Sequence, residues 1–223
     1  AQNTNTDKKD SGYKNNIITT GIGTKFEQYR NIYVAPAIAL SYDDLTVQSS
    51  SSESLKKQKG TFTDLSLDYT VSLDNRDRAY APTDGYVSSF SQVIPVYADA
   101  PFIKNTYAFN QYKSFTKDAI GSFKFFTTAI NGLSDKDVRL SKRVRLGSSR
   151  LRGFEAGKIG PKDGKDYIGG NYAWSTNFEV SLPNLLPEST KIDVSGFIDA
   201  GNIWNVDYDK GLNDSNKIRS SAG

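Results

Sequence analysis

The chain contains no cysteine, no histidine and no methionine. Without cysteine there is no disulfide framework and no thiolate nucleophile. Without histidine the commonest general base and metal ligand is missing. Zinc and iron centres and Ser-His chemistry are thereby disfavoured, and an enzyme built on this chain would have to work with carboxylates alone. A chain with no methionine also reads as a processed product or an internal piece of a longer protein. We take it as a piece, its first residues reading as loop and residues 218–223 as a strand just starting. Long apolar runs are scarce as well. None approaches the ~20 residues that a membrane-spanning helix needs, and no signal peptide is visible. Charge of one sign does not dominate: 28 Lys and Arg face 25 Asp and Glu, a net charge of +3. That balance gives no footprint for nucleic acid.

What the chain does have is period-two alternation. Over residues 61–74, Leu65, Leu67, Tyr69, Val71 and Leu73 share one face of a strand. Asp64, Ser66, Asp68, Thr70, Ser72 and Asp74 share the other, because successive side chains on a strand point to opposite sides. Ile18, Thr20, Ile22 and Phe26 alternate in the same way, as do Ile32, Val34, Ile38, Leu40 and Tyr42. Weaker strands are read over residues 86–96, 102–115 and 121–130. Near the C-terminus, Thr176, Phe178, Val180 and Leu182 oppose Ser175, Asn177, Glu179 and Ser181. Ile192, Val194, Ile198 and Ala200 then oppose Asp193, Ser195, Asp199 and Gly201. This gives about eight strands.

The strands run to roughly ten residues or more, nearer the ~9–11 of an outer-membrane barrel than the ~5–6 of soluble sheets. Short links at residues 27–30, 116–120 and 183–189 tend to alternate with long polar loops at 43–60, 131–169 and 205–217. Residues 97–101 and 76–85 depart from that rhythm. The serine-rich stretch 49–54, leading into Lys56 and Lys57, reads as exposed and flexible. Alternation alone fits two folds. A soluble sandwich buries the apolar face, whereas a membrane barrel turns it to lipid and the polar face to its lumen. Strand length, loop asymmetry and 25 Tyr and Phe residues (13 and 12) favour the barrel.

Three blocks then carry a resemblance. The first is Asp77-Arg78-Ala79-Tyr80-Ala81-Pro82-Thr83-Asp84-Gly85. The second is Leu151-Arg152-Gly153-Phe154, followed by Ile159-Gly160-Pro161-Lys162 and Gly169-Gly170-Asn171. The third is Phe197-Ile198-Asp199-Ala200-Gly201-Asn202-Ile203-Trp204. Their order and spacing resemble the C-terminal barrel of the BamA family of outer-membrane protein assembly factors, with Leu151 in place of the family's usual Val. The resemblance implies an all-β fold: an antiparallel transmembrane β-barrel, here a partial one of about eight long strands with a long inward-folded loop. Residues 1–223 would be the middle-to-late part of that barrel, without POTRA domains or terminal strands, and would be inactive and aggregation-prone alone.

The resemblance also implies roles. Arg152 would enter the lumen and pair with Glu179 and Asp199, both on the polar face by alternation. Gly153 would permit the close approach, Phe154 would pack beside the arginine, and Ile159, Gly160 and Pro161 would complete the loop. The implied activity is non-enzymatic insertion of β-barrel proteins into the bacterial outer membrane, with no cofactor and no metal. Its partners would be the outer-membrane lipid bilayer, unfolded outer-membrane protein clients and, through domains outside this chain, accessory assembly lipoproteins. Plainer readings stand beside these. Asp64, Asp68 and Asp74 read as a wet barrel wall rather than a Ca2+ site. Lys142, Arg143 and Arg145 read as a solvated loop or, less simply, a contact for lipopolysaccharide phosphates. Trp174 and Trp204 suit interfacial anchors. A related translocation barrel (TamA-like or a two-partner secretion transporter), a passive porin and a soluble carboxylate-dependent sandwich are the competing functions.

Overall fold

The computed structural model describes residues 2–8, 12–183, 185–186, 192–212 and 217–223. Along the chain come β1 (Gln2–Lys8), β2 (Tyr13–Gly23), β3 (Phe26–Tyr29), β4 (Ile32–Val47), β5 (Gly60–Asp74), β6 (Asp84–Ala98), β7 (Phe102–Thr116) and β8 (Ala119–Gly132). Then follow two short strands, β9 (Lys162–Asp163) and β10 (Asp166–Tyr167), and the longer β11 (Tyr172–Leu182), β12 (Val194–Trp204) and β13 (Arg219–Ala222). All but β9 and β10 form one 11-stranded sheet in the order β1-β2-β4-β5-β6-β7-β8-β11-β12-β13, with β3 also on β4. The pairings are antiparallel. β1 and β13 end the path, so this is an open length of barrel wall. Among the described residues no helix is long and apolar enough to cross a membrane.

Burial decides which face is which. Ile22 is 80% exposed, Ile198 60% and Ile38 51%, and Leu40, Tyr42, Leu67, Val71, Phe123 and Phe178 are exposed with them. Cross-strand pairs such as Ile38↔Leu67, Phe123↔Phe178 and Phe178↔Ile198 put these residues on one continuous side. Asp43, Ser175 and Asp199 are fully buried on the opposite side, and Asp64 and Asn177 are nearly so. A sandwich would show the reverse. An apolar face left open and a polar face covered is the arrangement of a wall with lipid outside.

Towards the end that carries the long loops, strand parity continues while polarity inverts. On β4, Ser41 and Asp43 point inward, and so does Leu45, at 0% exposure. Leu45 joins Tyr13, Leu55, Leu140, Ile168 and Val206 in one core cluster. Ile130, Ala173 and Ile203 join Val138, Val144, Leu146, Leu151 and Ile159 in another. Both cores therefore lie inside the wall, between strand ends and loops.

Several expectations change here. The opening residues, expected as loop, form β1; their sequence has no apolar position, and pairing with β2 is made through the backbone. Residues 43–47, expected as loop, extend β4. The serine stretch is exposed at Ser49 and Ser50 but packed from Ser51 on. Ser51 is buried, the Ser52 hydroxyl accepts from the Leu55 N–H to cap α1 (Glu53–Lys56), and Leu55 is fully buried. Of the expected 183–189 link, residues 184 and 187–189 lie outside the described residues, as do 213–216 of the 205–217 loop.

Candidate functional site

The chain leaves the wall after β8 and rejoins it at β11, the strand beside β8. The connection, residues 133–171, lies against the inner face. At its midpoint the structure brings Arg152 together with Glu179 and Asp199 of the wall. Arg152 Nε donates to Asp199 Oδ2 at 2.8 Å and Nη2 to Asp199 Oδ1 at 2.7 Å. The Arg152 backbone N–H adds a third bond to Oδ2 at 3.0 Å, and Nη1 donates to Glu179 Oε2. Glu179 stands on β11 and Asp199 on β12, so one planar fork ties two neighbouring strands to the loop. The Asp199 carboxylate is fully buried. Its hydrogen bonds lift the Arg152 guanidinium further above its usual pKa, against the opposing effect of burial.

The ring over the Arg152 guanidinium is Phe197, with its centroid 3.7 Å from Cζ. Phe154 packs against the first core cluster instead. Gly153 has φ +80°, the left-handed region where glycine carries no steric cost. Gly160 has φ +91°, and a Cβ there would lie 2.9 Å from Ile203 Cβ. Ile159 and Pro161 are buried beside it.

The rest of the loop is pinned as firmly, at residues that had read as solvated. Arg143, 4% exposed, donates to Asp207 Oδ1 at 2.6 Å and to Asn171 Oδ1 at 3.0 Å, and lies over the Tyr208 ring. Burial pushes the Asp207 carboxyl up, but Arg143 and the Val138 N–H outweigh it and hold its pKa below the ordinary aspartate value. Arg145 lies over the Tyr13 ring and donates to the Tyr167 carbonyl at 2.9 Å. Lys142 Nζ is 3.4 Å from Asp64 Oδ2. These contacts correct both the solvated-loop and the phosphate readings, since each cation is engaged by the loops or the inner wall. Asp64 is likewise no open wet wall, because Arg139 and Lys142 cover it. Asp68 lines a cavity of about 220 Å3 with Asp64, Lys104 and Lys142. Asp74 pairs with Arg76 at the turn end. Trp174 and Trp204 stand on the outward face by strand parity, with the Trp204 ring 5.8 Å from that of Tyr172.

Sequence reading missed Phe197, Arg139, Ser141, Asp43 and Asp207. A usable signal existed for Phe197 alone: an aromatic at an inward position two residues before Asp199.

Residues 1–223 match the Omp85 superfamily domain. The chain belongs to the Omp85 superfamily. Among curated relatives, it is 28% identical over 191 residues to the outer membrane protein assembly factor BamA of Neorickettsia risticii, covering 83% of this chain and 26% of that protein. It is 33% identical over 174 residues to a SAM50-like protein of Schizosaccharomyces pombe, covering 70% and 34%. The human sorting and assembly machinery component 50 homolog is 27% identical over 167 residues, covering 70% and 35%. The chain thus spans about a quarter to a third of these relatives. In fold it is similar to the crystal structure of Haemophilus ducreyi BamA lacking POTRA domains 1–3. The TM-score is 0.85 at 20% identity, over 99% of this chain and 50% of that one. That likeness shows a length of BamA-like barrel wall, and an Omp85 wall belongs in an outer membrane.

Proposed function

We propose that this chain is the middle-to-late wall of an Omp85 barrel that assembles and inserts β-barrel proteins into a bacterial outer membrane. The observation that carries the reading is Arg152 held at once by Glu179 and Asp199, at the tip of a loop folded into the lumen. A pore-forming wall needs no such bond, and an open channel is obstructed by it. The bacterial setting rests on the BamA relative, which matches more of the chain than the SAM50 relatives do.

In this reading the work is non-covalent and uses no nucleotide. Clients are unfolded outer-membrane proteins, and the second partner is the lipid bilayer. An incoming strand gains stability by pairing with an exposed strand edge, while these residues supply the braced wall behind that edge. Accessory assembly lipoproteins are proposed partners through domains outside residues 1–223.

The test reconstitutes the full-length protein in phospholipid vesicles and follows folding of a urea-denatured β-barrel client by its heat-modifiable mobility. The wild-type protein accelerates folding, and Arg152→Ala lowers the rate by about tenfold or more, in line with the loss of a charge partner from a buried carboxylate. A wild-type protein that leaves client folding unchanged overturns the reading and favours a translocation barrel.

A further inference from the structure

Arg139 makes a second charged contact with the wall, on strands remote from Arg152. Its guanidinium donates to Asp64 Oδ2 on β5, with side-chain exposures of 3% and 8% against 29% and 21% for Arg152 and Glu179. The Arg139 Cζ lies 4.6 Å from the Phe62 ring centroid. Two residues on, the Ser141 hydroxyl donates to Asp43 Oδ2 on β4. Between them Leu140 is fully buried with Leu45 and Leu55, and its N–H donates to Gln58 Oε1 at 3.2 Å. In sheet order β6, β7 and β8 separate β5 from β11.

We propose that residues 133–171 form a two-ended brace: Arg139, Ser141 and Lys142 anchor the loop to Asp64 and Asp43, Arg152 anchors it to Glu179 and Asp199, and the loop thereby sets the separation of the two half-walls. Asp43, Asp64 and Asp199 are each engaged by the loop, so lifting either end gives up charge-assisted hydrogen bonds and the packing beside them together. Charge and packing coincide at both ends, since each anchor adjoins its own core cluster. With one anchor alone, the β4–β5 and β11–β12 segments would flex independently about the strands between them. With both, the loop is a chord and the strands are its arc. The inference stands on this geometry and not on the assembly activity.

The experiment measures that chord. In full-length protein reconstituted in phospholipid vesicles, spin labels are placed on Leu40→Cys and Ile198→Cys, both outward-facing at 46% and 60% exposure. These 223 residues contain no cysteine to compete for label. Pulsed dipolar spectroscopy then gives the distance between β4 and β12. Wild type and Arg139→Lys should give one narrow distribution, whereas Arg139→Gln and, independently, Asp64→Asn should give a longer and broader one. Asp64→Asn, close to isosteric, carries the test where Arg139→Gln yields no folded protein. Unchanged distances in the variants that fold overturn the proposal. So does broadening in Arg139→Lys equal to that in Arg139→Gln, because the anchor would then not depend on charge.

Discussion

At the residue scale, the loop depends on backbone positions in the left-handed region. Gly153 and Gly160 both have positive φ, but their surroundings differ. An alanine Cβ at 153 would meet Ser221 Cβ at 3.5 Å, an ordinary contact, while one at 160 would meet Ile203 Cβ at 2.9 Å. Gly153→Ala should therefore cost about 1–2 kcal/mol, the backbone penalty alone. Gly160→Ala should cost about 2–4 kcal/mol, because overpacking adds to it. Urea unfolding of the vesicle-bound protein ranks the two, and a reversed order would contradict this account. The motif was legible because its residues are contiguous and their types distinctive. Glu179 and Asp199 were legible because strand parity put them on the polar side. Phe197 offered a signal in its place two residues before Asp199, but its role went unread, since an apolar residue on a polar face breaks the alternation that finds such faces. Asp43 and Arg139 were illegible for another reason: nothing in the sequence tells a buried charge from a solvated one before its partner is known.

Strands and loops differed in the same way at the element scale. Strand centres, from Leu65 to Leu73 for example, announce themselves because one medium lies on each side. Strand ends near the loops do not, because there Tyr13 and Leu45 turn inward onto α1 and Leu140. The loop's dependence on its neighbours should also be visible as a pH effect. Asp207 accepts from Arg143 and from the Val138 N–H at 2.7 Å, and its folded pKa is depressed. A depressed carboxyl contributes stability that is fully present above its unfolded pKa, about 3.9. That contribution is lost as pH falls through the folded value. Protection of the Val138 amide, corrected for intrinsic exchange, should hold level from neutral pH to about 4 and decline below it. Asp207→Asn should remove the decline, and an equal decline in that variant would assign it to another group.

At the scale of the whole molecule, the exposed apolar face is the defining feature. It predicts an asymmetry between adjacent residues of one strand at the same depth. Leu67, near the middle of β5 and 39% exposed, points outward. Leu67→Arg should cost about 2–4 kcal/mol in a bilayer, the penalty for a cation near the lipid midplane. Ser66, the adjacent residue and inward beside Asp64 and Asp68, should tolerate arginine with a clearly smaller loss. Unfolding midpoints in vesicles test the pair, and equal costs would mean that the faces are not lipid and lumen.

The position of the long loop has a further consequence, for chain entropy. Most neighbouring strands meet across a short connection; β7 and β8 are joined through Lys117 and Asp118. β8 and β11 are paired from Ile120↔Ser181 to Ala129↔Tyr172 with residues 133–171 strung between them. Closing a connection of roughly forty residues instead of a few costs on the order of 2 kcal/mol more, since the penalty grows with the logarithm of length. Within the described sheet this is the junction least favoured by proximity along the chain. The contacts that fasten the loop to the lumen wall therefore also offset the entropy of joining one half of the sheet to the other.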